Sequence, residues 1–178
     1  MSPLLDISPP LSDLIGAWPG DVRYRRVVGS TLESGSGYAL SSIVTTLHVG
    51  AHADAPSHYL AGGASIDRRP LDLYYGPCQV VAVELPRGAR IRPEDLRDEI
   101  RAPRVLFRTG SFPDPHRFGE DFNSLSPGLV DFLASLGVVL VGIDTPSVDP
   151  FDDRKLLSHH ALARHDMANL EGLVLDGV

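Results

Sequence analysis

The 178-residue chain has one cysteine, one lysine, one tryptophan and no long apolar run. A single thiol, Cys78, excludes a disulfide framework within the chain. It opens the apolar run Cys78-Gln-Val-Val-Ala-Val83, so a buried thiol without a catalytic role is expected. Lys155 is the only candidate for Schiff-base chemistry, and it lies in the charged segment Asp152-Asp-Arg-Lys155. No Gly-Lys-Ser/Thr occurs, which argues against P-loop phosphate chemistry. No apolar stretch reaches the ~18–20 residues of a membrane helix. The start, Met1-Ser-Pro-Leu-Leu-Asp6, lacks the basic and apolar regions of a secretory signal, so a cytoplasmic location is expected. A net charge of -7 disfavours nucleic acid and anionic membrane as main partners.

The composition, 43% hydrophobic and 22% charged, is that of a globular chain long enough for one domain with a core, and residues 1–178 are read as that domain. Short strands are expected at Leu4–Ile7 and Val22–Val28, and a β-branched strand over Tyr38–His48. Beyond a helical turn at Leu71–Tyr75, strands and helices alternate. Strands are expected over Gln79–Leu85, Arg104–Arg108 and Val138–Ile143, the last central and fully apolar. Helices are expected over Pro93–Ile100, from Ser126-Pro127 to Gly137, and from His159 to Leu170. This order predicts an α/β fold with strands buried on both faces. The irregular stretch from Ser111 to Ser126 is read as an active-site loop or a surface excursion.

Chemistry concentrates in His48-Val-Gly-Ala-His52-Ala-Asp54-Ala-Pro-Ser-His58. Three imidazoles and a carboxylate within eleven residues supply the N and O donors preferred by a borderline divalent metal such as zinc. Gly50, Ala51, Ala53, Ala55 and Ser57 are small enough for the backbone to curl and bring them together. Pro56 fixes its own φ and biases Ala55 toward extended conformations. His52, Asp54 and His58 are expected in the loop leaving a strand that ends at His48. Trp18, in the turn signature Trp18-Pro-Gly, caps a core edge or stacks on a ligand.

A second group comprises Asp144, Asp149, His159, His160 and Glu171. On a regular helix, twelve residues separate His159 and Glu171 by about 18 Å, too far to bind one atom. They can share a site only if that helix stops early or the chain folds back. Asp144 and Asp149 are expected to order the loop after the central strand; His116 and His165 are expected on the surface.

The His48–His58 stretch resembles the His-x-Gly-Thr/Ala-His-x-Asp-x-Pro-x-His signature of the cyclase-like metal-dependent hydrolases. Ala51, Gly142-Ile-Asp-Thr-Pro-Ser-Val-Asp149 and Asn169-Leu-Glu-Gly-Leu-Val-Leu-Asp176 resemble its bacterial kynurenine formamidase branch. The family pattern continues further beyond that last segment than this sequence does, so a shorter C-terminal edge is expected. The resemblance implies a swivelling β/β/α fold, a homodimer, and two divalent ions per chain, usually Zn2+. By the same resemblance, His48, His52, Asp54 (bridging both ions), His159 and Glu171 would be the ligands. His160 is the alternative to His159, which follows the small residue Ser158 as in the family pattern. His58 would be the catalytic acid/base, and Trp18 would contact the substrate ring. The implied reaction is hydrolysis of N-formyl-L-kynurenine to L-kynurenine and formate. Alternatives are a sister enzyme opening a cyclic amide such as isatin, and a non-catalytic module with structural metals.

Overall fold

The computed structural model describes residues 4–178. In chain order the strands and helices are β1 (Arg25–Ser30), β2 (Leu40–Val44), β3 (His52–Asp54), β4 (Gln79–Ala82), β5 (Arg90–Ile91), β6 (Arg104–Arg108), β7 (Ser124–Leu125), α1 (Pro127–Ser135), β8 (Leu140–Ile143), α2 (Leu157–Arg164) and β9 (Ala168–Glu171). The main sheet has the order β3-β9-β8-β6-β4. Its β4, β6, β8 and β9 run parallel, while β3 closes one edge antiparallel to β9. Short β5 and β7 pair in parallel elsewhere, and β1 and β2 form a separate antiparallel ribbon.

The β6 and β8 strands are buried on both faces, which explains the apolar Val105-Leu-Phe107 within β6 and the wholly apolar β8. On one face, Val81, Val105, Phe107, Val141 and Ile143 pack with Leu129 and Leu133 of α1 and Ala161 and Leu162 of α2. On the other, Leu106 and Leu140 pack with Leu173 and Leu175. The start of α1 follows its sequence signal: Ser126 Oγ accepts a hydrogen bond from the Leu129 N–H, and Pro127 occupies the first turn.

Several expected boundaries differ. The helix expected over His159–Leu170 ends at Arg164, and the chain then turns through Asp166, whose φ is 51°, into β9. Pairing with β3 and β8 stabilises this extended segment over continued helix. Pro93–Ile100 supplies only one 3-10 turn, Pro93–Asp95, because Leu96 is already extended. The β2 strand stops at Val44, four residues before His48; β1 spans Arg25–Ser30; and Leu4–Ile7 forms no strand. Cys78 is exposed because it leads into β4, the edge strand of the sheet.

Candidate metal centre

The early end of α2 brings the two halves of the sequence together. Antiparallel pairing places His52 opposite Glu171 and Asp54 opposite Asn169. Side chains two apart on a strand share a face, and directly opposed pairs lie together, so these four residues form one cluster. His52 and Asp54 therefore belong to a strand, in place of the expected loop, and His58 lies in the 3-10 turn Pro56–His58.

Asp54, 3% exposed, is at the centre. Its Oδ1 lies 2.9 Å from His48 Nδ1 and 3.7 Å from His52 Nε2, and its Oδ2 lies 3.2 Å from His159 Nε2. Glu171 is 3.6 Å from His52 Nε2 through Oε2 and 3.3 Å from His159 Nε2 through Oε1. Thus His48, His52, Asp54, His159 and Glu171 converge, whereas His160 is only partly buried at the neighbouring α2 position. His58 lies beside them at the exposed rim, its ring 3.9 Å from that of His48 and 6.2 Å from that of His159, and His48, Asp54 and His58 form a second close triplet.

Outer groups fix the rings. His52 Nδ1 lies 2.9 Å from the Gly50 carbonyl and His159 Nδ1 lies 2.9 Å from Asp149 Oδ2. An acceptor at each Nδ1 requires the proton there, leaving Nε2 toward the carboxylates. Asn169 donates to both Asp54 and Glu171, and the Val148 N–H donates to Glu171.

The electrostatics follow. Burial raises the pKa of Asp54, but hydrogen bonds from His159 and His48 and the charge of His52 outweigh it and hold the carboxyl below its ordinary range. The Asp54 carboxylate beside His48 raises that imidazole, against desolvation. Burial lowers His159, yet Asp149, Asp54 and Glu171 together lift it well above the ordinary value. Partial enclosure lowers His58.

The donor set fits a divalent cation. His52 Nε2 is buried without a hydrogen-bond partner among the described residues, although it faces two carboxylates. Such a bare group costs about 1–3 kcal/mol. Cation binding uses those same lone pairs, and imidazole with carboxylate suits zinc.

A cleft of about 340 Å³ reaches His48 and His52. Trp18 lines it with Phe112 and Phe118, and its ring also packs on Phe151 at 5.0 Å. The Gly110–Pro115 stretch contributes to the wall. Asp144 and Asp149 order loops, as expected: Asp144 accepts from the Thr109 and Gly110 N–H groups, and Asp149 from those of Ser158 and His159. His116 and His165 are exposed. Sequence reasoning missed Asn169, whose signal is the Asn169-x-Glu171 alternation, and Phe112, Phe118 and Phe151, which stand singly in loops.

Residues 5–150 match the model of the Cyclase family ("Putative cyclase"). The chain is also 42% identical, over its whole length and 86% of the relative's, to the kynurenine formamidase of Bordetella avium (strain 197N). The chain belongs to the cyclase family. Within that family it resembles the kynurenine formamidase branch, and the expected α/β cyclase fold is borne out by solved structures. The predicted metal-dependent hydrolase from Bacillus stearothermophilus matches 98% of this chain and 83% of its own at a TM-score of 0.79 and 24% identity. An isatin hydrolase bound to the product analogue thioisatinate matches 98% and 80% at a TM-score of 0.82 and 18% identity. At those identities the likeness is one of fold.

Proposed function

We propose that this cyclase-family hydrolase cleaves N-formyl-L-kynurenine to L-kynurenine and formate, using two zinc ions held by His48, His52, Asp54, His159 and Glu171. The observation that carries the reading is the convergence of three imidazoles and two carboxylates beside an aromatic-lined cleft. The 42% identical kynurenine formamidase supplies the substrate. Asp54 would bridge the ions, since its two oxygens already face different histidines.

Bound there, divalent ions would supply a nucleophile at neutral pH and positive charge beside the formyl oxygen. The residues of the chain do the rest. Asp54 and Glu171 neutralise charge and hold the imidazoles in place. His58 has its pKa lowered by burial, so it is largely neutral at neutral pH and can accept a proton. It can then return that proton to the departing aryl amine, a service worth ~10²–10⁴ in rate. Trp18 offers an apolar face to the substrate's ring.

The proposal extends to residues 1–178 acting as one domain, in the cytoplasm, as a homodimer. The β1–β2 ribbon supports the dimer: Val28, Leu40 and Ile43 are each more than half exposed. Val28 and Ile43 share one face of the ribbon and Leu40 lies on the other, and exposed apolar side chains of this kind suit a contact with a second copy. Sedimentation should give twice the mass of the chain, and Ile43→Asp should shift it toward monomer.

The deciding experiment is a substrate comparison on zinc-loaded protein. N-formyl-L-kynurenine should be consumed with formate released, and isatin should be left intact. Ring opening of isatin with no attack on the formamide would assign the chain to the other chemistry.

A further inference from the structure

Behind the His159 ring lies a buried ion pair that the proposed reaction does not touch. Asp149 is fully buried on the loop leaving β8. Its Oδ2 accepts from the His159 N–H at 3.0 Å and faces His159 Nδ1 at 2.9 Å; its Oδ1 accepts from the Ser158 N–H at 2.9 Å. One carboxylate thus grips both the backbone and the ring of His159, which fixes the direction of the ring as well as its tautomer. It also supplies what α2 lacks, because the residue preceding that helix, Leu156, gives no side-chain cap.

A buried carboxylate is costly unless paired, and Arg90 of β5 pairs it. Arg90 Nη1 lies 3.2 Å from Asp149 Oδ1, from the Leu125 carbonyl and from Ser158 Oγ, and Nη2 donates to Asp153. The planar fork spans four partners on three segments, a reach that lysine cannot reproduce in full.

We infer that Asp149, neutralised by Arg90, is a positioning residue that sets the affinity of the cation site through His159. The inference rests on the metal-dependent reading above. A carboxylate behind a ligating imidazole typically changes metal affinity by 10–100-fold.

The test is a zinc-affinity cycle by competition with a chromogenic chelator. It uses the full chain, Asp149→Asn, His159→Ala and the double variant, with circular dichroism of each confirming the fold. Asp149→Asn should weaken one zinc equivalent at least 10-fold. In the His159→Ala background the same change should have little further effect, because the ring through which it acts is gone. Cobalt absorption should report an altered ligand field in Asp149→Asn. If that variant fails to fold, Arg90→Met carries the same cycle, and Arg90→Lys should recover part of the lost affinity. Wild-type zinc affinity in a folded Asp149→Asn or Arg90→Met variant would overturn the inference, as would an equal loss with and without His159. Absence of tight zinc binding to the unaltered chain would instead sink the metal-dependent reading itself.

Discussion

Two sets of side chains meet at the candidate site, and the chain holds them by different means. His52, Asp54, Asn169 and Glu171 stand on adjacent strands, where the β3–β9 register dictates which groups are opposed. His48, His58 and Trp18 come from irregular backbone and depend on turns and aromatic packing. A register is shared by every hydrogen bond of the pair and slips only as a whole. A loop residue can be displaced alone. The strand set is therefore suited to holding a cation, and the loop set to meeting a substrate. Substitutions in the two sets should separate metal content from turnover.

The largest effect is expected in the strand set. Asp54→Ala removes the carboxylate that faces three imidazoles. Zinc content should fall by at least one ion per chain, and formamidase turnover should drop by ~10³ or more. Metal analysis and turnover on the same sample would check both. Retention of two ions by this variant would remove Asp54 from the proposed bridging position.

His58→Ala tests the other set. Turnover should fall by ~10²–10⁴ while zinc stays at the wild-type level. The close approach of His48, Asp54 and His58 makes this informative, because those atoms are also near enough to share a cation. Loss of zinc along with turnover would move His58 from proton transfer to metal binding.

A third substitution strikes the seam between the sets. Gly172 follows Glu171 directly and has φ +66°; a Cβ there would lie 2.2 Å from the Gly50 carbonyl oxygen, in the turn that joins His48 to His52. Left-handed strain of about 1–2 kcal/mol adds to the cost of displacing backbone. Gly172→Ala should therefore lower unfolding stability by about 2–4 kcal/mol in urea titrations of the metal-free chain. Zinc affinity should fall as well, since the β9 donors and the His48–His52 turn would no longer approach.

The same division governs how much could be read from the sequence. The stretch from His48 to His58 was legible because its donors are close in sequence and separated by small residues. So were α1, from its Ser126-Pro127 start, and the apolar strand β8. The strand pairing was not. The three residues of β3 are too short to display a period, and His159, Ala163, Met167 and Leu170 mimic one face of a longer helix. The break at Asp166 is fixed by what β9 gains between β3 and β8, which is a tertiary quantity. Asp149 looked like a loop acid for the same reason: its partners Arg90, Ser158 and His159 are distant in sequence.

The smallest effect should come from Trp18. Its ring packs on Phe118 at 5.3 Å and on Phe151 at 5.0 Å while lining the cleft, so it both shapes the wall and faces the bound molecule. An aromatic contact is worth about 0.5–1.5 kcal/mol, or roughly 2–10-fold in binding. Trp18→Ala should raise KM by about that factor and leave zinc content unchanged. Trp18→Phe should restore much of the loss, because a flat apolar ring is all that stacking asks of this position. A fall in kcat at unchanged KM would place the ring against the reacting atoms, closer to His58 than a recognition surface needs to be.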